Sequence, residues 1–139
     1  MQDQRIVKLL VRNRTGSFLV LEEAMIDAIR TTRPDLPGGP THEGESDIAA
    51  LDRILRARYN VFFQTQEAVH VGFDAEYEPG EGLITRVLYL LKIEDTHVPL
   101  AAGREAVQFT WEPATSLRGF DPPLQVLVQT ALDFYVSEL

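Results

Sequence analysis

The sequence predicts an α/β fold, in which helices pack against a mixed β-sheet. Three observations support this class: short aliphatic and β-branched runs separated by turn residues, a helical apolar pattern in mid-chain, and a second such pattern near the end. The 139 residues have the size of one ordinary domain, which we expect to span residues 1–139.

The first third of the chain predicts a hairpin followed by a loop. Residues 5–11 and 17–21 are rich in aliphatic and β-branched side chains, which is typical of strands. Residues 13–16, with the sequence Asn-Arg-Thr-Gly, supply turn chemistry between them. Residues 31–40 are dense in proline and glycine, so we expect a loop there.

A helix is predicted from about residue 46 to residue 59. Ser46 is a suitable N-cap, and Asp47 places negative charge in the first turn, where the helix dipole favours it. Four apolar residues follow at helical spacing: Ile48, Leu51, Leu55 and Tyr59. The segment therefore predicts an amphipathic helix that packs on the sheet.

The remaining chain predicts three strands and a closing helix. Strands are expected at residues 61–73, 83–94 and 107–111, with the acidic residues 74–82 connecting the first two. Asp121 and Pro122 predict the start of the last helix, because proline is favoured at the first helical position. The apolar face of that helix is predicted to consist of Leu124, Leu127, Val128 and Ala131.

Composition excludes several classes of function. Asp and Glu number 21 against 13 Lys and Arg, a formal charge of −8 that repels polyphosphate backbones and disfavours a nucleic-acid polymer as partner. The absence of cysteine excludes disulfides, thiolate catalysis and cysteine-ligated zinc. No apolar run has the length of a membrane span, and the first residues lack the pattern of a signal peptide. We expect a soluble, cytoplasmic protein with no membrane partner.

The most informative segment is residues 36–46, Leu-Pro-Gly-Gly-Pro-Thr-His-Glu-Gly-Glu-Ser, which runs into the predicted helix. Its spacing resembles the signature of the Nudix hydrolase superfamily. The positions that match the signature are Gly39, Glu45, Arg53, Leu55 and Val61, whereas Asn60 stands where the signature has its closing glycine. The resemblance implies an α/β/α sandwich around a mixed sheet. It also implies hydrolysis of a nucleoside diphosphate linked to another group, with magnesium or manganese held by three glutamates of the helix.

The sequence departs from the family at those three glutamates. Their positions hold Ile54, Ala57 and Arg58. A hard divalent cation requires several oxygen ligands, which two apolar side chains and a guanidinium do not supply. Asp52 projects to the opposite side of the helix, and Asp47 lies about two turns, or roughly 10 Å, from Ile54. We therefore predict no metal site and no metal cofactor, unless displaced carboxylates support hydrolysis.

Two carboxylates are the candidates for such a catalytic role. Glu45 and Arg53 retain their family positions, where the pair mainly braces the loop against the helix, so bracing is the alternative to a direct chemical role. Glu105 precedes Trp111 at a spacing similar to the family's late loop, which in some members carries an acidic ligand or base. A solvated loop carboxylate is the alternative for Glu105.

Gly38, Gly39, Arg53 and Arg58 are the candidate ligand-binding residues. The two glycines allow the backbone to turn sharply and approach a phosphate, although they are equally suited to a plain turn. The Arg58 guanidinium could supply the charge that the missing metal would have supplied and pair with a phosphate. An exposed arginine stabilised by the helix dipole is the alternative.

Three functional hypotheses follow from these residues. The first is a non-catalytic or weakly active protein that binds a nucleotide-like or other small phosphorylated molecule. The second is an active hydrolase that cleaves nucleoside diphosphates linked to another group, in which Glu45 and Glu105 act with magnesium or manganese. The third is a fold used for protein association, in which a partner or a second copy, as in a homodimer, covers the apolar helix face from Ala50 to Ala57.

Overall fold

The structure is a computed structural model that describes residues 3–26, 29–30, 34–94, 107–117 and 119–136. These ranges contain seven strands and two α-helices. The strands are β1 (Gln4–Arg12), β2 (Ser17–Ile26), β3 (Ile29–Arg30), β4 (Gly38–Pro40), β5 (Val69–Glu78), β6 (Gly82–Lys92) and β7 (Val107–Pro113). The helices are α1 (Asp47–Tyr59) and α2 (Pro122–Ala131), and α2 continues into a π-helical turn, Leu132–Val136.

All seven strands join one mixed sheet. The strand order is β3-β2-β1-β6-β5, while β4 pairs with β1 and β7 pairs with β2. The central pair β1 and β6 is parallel, and the other pairs are antiparallel. β1 therefore contacts both β6 and the short strand that carries the two glycines of the loop.

The core consists of two apolar clusters, one on each face of the sheet. Leu9 belongs to the cluster beneath α1, and the next residue, Leu10, belongs to the cluster beneath α2, because successive side chains of a strand point to opposite faces. The residues that the helices contribute to these clusters are Ala50, Leu51, Ile54, Leu55 and Tyr59 from α1 and Leu124, Leu127, Val128 and Ala131 from α2. The predicted α/β/α sandwich with a mixed sheet is confirmed.

Both predicted helices are present at the expected places. The Ser46 side chain accepts a hydrogen bond from the Ala49 amide at 3.2 Å, so Ser46 is the N-cap of α1 as predicted. Pro122 begins α2, and the four apolar residues predicted for its inner face are buried. Neither helix, nor any other in the described ranges, combines the length and the hydropathy that crossing a bilayer requires.

Three boundaries were predicted wrongly. Residues 61–68 are not a strand: the Val61 amide donates to the Leu55 carbonyl at the end of α1, and a 3-10 turn follows at Thr65–Glu67. The acidic segment 74–78 belongs to β5 and not to a connection, since its backbone pairs with β6. Arg86 on β6 offsets part of its negative charge by pairing with Asp74 and Glu76. Within the predicted loop, residues 38–40 pair with β1 as β4.

Candidate functional site

The site predicted from the sequence lies where β4 meets α1. Neighbouring parts of the chain lie close to both of its glycines. Gly38 has a φ of +150°, and a Cβ added to it would lie 2.0 Å from the Val7 carbonyl oxygen. A Cβ on Gly39 would lie 3.1 Å from Arg58 Nη1 and 3.4 Å from Ile54 Cδ1. Gly38 therefore requires glycine, whereas a Cβ on Gly39 would require the end of the Arg58 side chain to shift by a few tenths of an ångström.

Glu45 and Arg53 form a two-point ion pair. Arg53 Nε donates to Glu45 Oε2 at 2.8 Å, and Arg53 Nη2 donates to Glu45 Oε1 at 2.9 Å. The same Nη2 donates to the Pro40 carbonyl at 3.0 Å, and the His42 amide donates to Glu45 Oε1 at 2.9 Å. These contacts join the loop to α1, as the bracing interpretation predicts.

This ion pair controls the ionisation of Glu45. The hydrogen bonds from Arg53, and secondarily that from the His42 amide, lower the pKa of Glu45 from 4.5 to about 2. A carboxylate with so low a pKa is a weak base, and both of its oxygens already accept hydrogen bonds. The geometry therefore favours the structural role over the chemical one, while the catalytic role of Glu45 stays a prediction.

The helix face beside the glycines carries a cation in place of carboxylates. Ile54 is 1% exposed and packs in the core, whereas the neighbouring Ala57 is exposed. Arg58 is partly buried, and its Nη1 donates to the Gly38 carbonyl at 3.2 Å. The Arg58 guanidinium also lies 5.4 Å from the ring centroid of Tyr59, within the range of a cation–π contact.

These residues do not fit a divalent metal ion. Among the described residues, no group of three or more His, Asp or Glu side chains could hold one. The two helical aspartates have other partners, since Asp47 pairs with Arg5 at 2.7 Å and Asp52 pairs with Arg56 at 3.1 Å. The only side chain of the three signature positions that reaches the Gly38 carbonyl is the positively charged one of Arg58.

The structure thus brings five of the predicted site residues together: Gly38, Gly39, Glu45, Arg53 and Arg58. Glu105 lies outside the described residues, so its role stays a prediction. The association hypothesis needs a correction at two of its residues, because Ala50 and Ile54 are buried in the chain's own core, whereas Ala57 is exposed. Ala50 is 0% exposed and Ile54 is 1% exposed, and both pack beneath the sheet.

Sequence reasoning missed a polar cluster at the start of α1. Arg5 donates to both oxygens of Asp47 at 2.7 Å, and the Tyr89 hydroxyl donates to Asp47 Oδ2 at 2.8 Å. Burial, followed by the hydrogen bond to Asp47, raises the pKa of Tyr89 to about 12. No local signal could have found this cluster, because its members lie on three elements and 42 residues separate each neighbouring pair.

A groove lies on the far side of α1 from the glycines. Its volume is about 1060 Å³, and its walls are formed by the outer face of α1, the segment after α1 and the end of β6. Arg56 lies over the exposed ring of Phe62, 4.9 Å from its centroid, on one of these walls. None of the five site residues lines the groove, so it is separate from the predicted site.

Solved structures of MutT and Nudix proteins share this fold along nearly the whole chain. The MutT protein of Methanosarcina mazei is 17% identical, with a TM-score of 0.70, and the match covers 91% of each chain. The ORF135 protein of E. coli is 19% identical, with a TM-score of 0.72 and coverage of 96% of this chain and 93% of that one. The MutT Nudix hydrolase of Burkholderia pseudomallei is 14% identical, with a TM-score of 0.71 and coverage of 94% and 98%.

No family sequence model and no curated protein matches the chain in sequence. The architecture alone therefore defines the class to which the molecule is assigned, an α/β/α sandwich around a mixed sheet. This chain has the Nudix hydrolase fold, as the loop signature predicted. A fold of this kind supports many activities, so function has to be argued from the site.

Proposed function

We propose that this Nudix-fold protein binds a nucleotide-like or other small phosphorylated molecule without a divalent cation, and that it is non-catalytic or weakly active. The observation that supports this proposal is the Arg58 guanidinium beside the two glycines of β4, where Nη1 donates to the Gly38 carbonyl at 3.2 Å. Cationic charge is thereby part of the chain at the point where relatives with the full signature recruit a metal.

Arginine has the chemistry that phosphate recognition requires. Its guanidinium is planar, stays protonated at all physiological pH values and pairs with two phosphate oxygens at once. It also has five N–H donors, so one guanidinium can contact several acceptors at once. Arg53 donates to Glu45 and Pro40, so we assign the shaping of the loop to Arg53 and the phosphate contact to Arg58.

Isothermal titration calorimetry in EDTA and in magnesium tests the proposal directly. The probes are a panel of nucleoside diphosphates, nucleoside diphosphates linked to a sugar, and inorganic pyrophosphate. We expect saturable binding in EDTA and a change of less than about threefold in Kd on adding magnesium. A charge-assisted hydrogen bond contributes about 1.5–3 kcal/mol, so Arg58→Gln should weaken binding by roughly tenfold or more.

Arg56→Gln is the matched control. Arg56 lies on the same helix two residues away, is exposed and pairs with Asp52, so its replacement should leave the affinity unchanged. Equal losses in both variants would contradict the assignment to Arg58, because the loss of any one positive charge would then explain the weaker binding. No heat with any probe would contradict the proposal.

The same panel separates binding from hydrolysis. Phosphate or nucleotide release is followed by chromatography in magnesium and in manganese, against a buffer blank. Metal-dependent turnover that collapses in Glu45→Gln would replace our proposal with the active-hydrolase alternative. We also propose that the protein resides in the cytoplasm. We further propose that it binds no nucleic-acid polymer, since the net charge of −8 repels polyanions.

A further inference from the structure

The Gly38 carbonyl oxygen accepts hydrogen bonds from two side chains in the last turn of α1. Arg58 Nη1 lies 3.2 Å from this oxygen, and the Tyr59 hydroxyl lies 3.4 Å from it. A carbonyl oxygen has two lone pairs, so both of its acceptor positions have a donor. A divalent cation at this oxygen would have to displace a side chain that is itself positively charged.

Gly39 lies close to the same guanidinium. The φ of Gly39 is not positive, so its backbone conformation does not by itself demand glycine. An added Cβ would lie 3.1 Å from Arg58 Nη1, so the end of the arginine side chain would have to shift by a few tenths of an ångström to make room. The second glycine of β4 and the arginine of the helix are therefore closely packed.

We propose that Arg58 is a resident cation that holds the Gly38–Gly39 segment of β4 against α1, so that this segment keeps its position without a divalent ion and has no affinity for one. Arg58 acts here as a positioning residue through the Gly38 carbonyl. This inference goes beyond the proposed function, because it concerns the glycine segment itself and holds whether or not a phosphorylated ligand binds.

Manganese binding tests the proposal on the purified full chain. Free Mn²⁺ is measured by electron paramagnetic resonance for the wild type and for Ala57→Glu/Arg58→Glu, which replaces the cation beside the Gly38 carbonyl with a carboxylate and adds a second carboxylate at the adjacent position. We expect the double variant to bind Mn²⁺ at least tenfold more tightly than the wild type, since two carboxylates and a carbonyl are ligands that a hard cation accepts.

The control is Arg14→Glu/Val126→Glu, which makes the same change in net charge at two exposed positions outside α1, where Val126 has no carboxylate within one helical turn. This control should bind Mn²⁺ within about threefold of the wild type. Equal gains in the two double variants would overturn the proposal, because general charge would then explain the binding.

The wild type alone gives a second, independent readout if the double variant fails to fold. Addition of Mn²⁺ broadens the amide resonances of residues near a bound ion. We expect the amides of Gly38 and Gly39 to broaden no more than exposed amides elsewhere in the chain. Selective broadening of these two amides at low Mn²⁺ concentration would overturn the proposal.

Thermal unfolding tests the complementarity of Gly39 and Arg58. Gly39→Ala should lower Tm in the wild type by roughly 3–5 °C through overpacking, and by a smaller amount when Arg58 is already alanine. Equal decreases in the two backgrounds would overturn the proposed fit. Arg58→Lys should lower Tm by less than Arg58→Met does. The reverse order would show that the positive charge does not hold the glycine segment of β4.

Discussion

Arg53 donates hydrogen bonds to both carboxylate oxygens of Glu45, at 2.8 Å and 2.9 Å, and so joins the glycine-rich loop to the middle of α1. The same guanidinium reaches the Pro40 carbonyl, while the His42 amide donates to Glu45 from within the loop. The Glu45 carboxylate therefore stabilises the loop internally, through the His42 amide, and also connects the loop to α1, through Arg53. Its geometry should depend on whether Glu45 is ionised.

We expect Glu45→Gln to reduce stability and to flatten its dependence on acid pH. Arg53 lowers the pKa of Glu45 from 4.5 to about 2, so the folded chain keeps the charge at pH values where the unfolded chain is protonated. The contribution of Glu45 to the free energy of unfolding is thus fully present above pH 4.5 and is lost as the pH falls towards 2. Urea denaturation at pH 7, 4 and 3 measures this change.

Glu43→Gln is the control for that experiment, because Glu43 is an exposed carboxylate in the same loop. Its replacement should leave the free energy of unfolding at pH 7 nearly unchanged, as is usual at exposed positions. If the two variants follow the same curve between pH 4.5 and 2, the ion pair with Arg53 does not stabilise the fold.

The Tyr89 hydroxyl should titrate late. Burial and the hydrogen bond to Asp47 raise its pKa to about 12, and the nearby Arg5 charge opposes this only in part. Absorbance near 295 nm, corrected with Tyr89→Phe, reports the pKa of this one tyrosine. We expect Asp47→Asn to lower that pKa, although not fully to the usual 10, because burial remains. An unchanged Tyr89 pKa in Asp47→Asn would contradict the hydrogen bond.

Asn60 should be replaceable by the glycine that the signature has at this position. Asn60 adopts a left-handed conformation with a φ of 54°, and its amide donates to the Leu55 carbonyl at the end of α1. Glycine adopts this conformation without strain, so Asn60→Gly should preserve or slightly raise the free energy of unfolding. Asn60→Ala should lower it by about 1 kcal/mol. Chemical denaturation measures both, and equal stabilities of the two variants would contradict the cap.

The sequence predicted the features that local pattern determines. The Ser46 cap, the apolar spacing through Leu51 and Leu55, and the strand β6 each follow from neighbouring residues, and each is confirmed. The pairing of Glu45 with Arg53 was also predictable, because a known signature fixes that spacing.

Features that depend on tertiary approach were not predictable in this way. The contact of Arg58 with the Gly38 carbonyl joins residues 20 apart, and its direction depends on how α1 packs on β4. Similarly, the acidic composition around Asp74 and Glu76 predicted a connection between strands. Their partner Arg86 lies on the next strand, so the neighbouring residues in the sequence do not reveal the pairing. Local composition does not reveal such cross-strand neutralisation.

The burial of Ile54 leads to the last prediction, that glutamate is tolerated at position 57 but not at position 54. Ile54 is 1% exposed and packs in the cluster beneath the sheet, so Ile54→Glu places a carboxylate in an apolar environment. We expect this change to lower the free energy of unfolding at pH 7 by roughly 3 kcal/mol or more. Ala57 is exposed, so Ala57→Glu should lower the free energy of unfolding by no more than about 1 kcal/mol. Part of this decrease comes from the unfavourable interaction of a negative charge with the C-terminal end of the helix dipole. Urea denaturation measures both, and Ile54→Gln separates the effect of charge from that of shape. Similar stabilities for Ile54→Glu and Ala57→Glu would show that position 54 is still a surface position; a large difference would show that restoring all three glutamates of the signature conflicts with the core of this chain.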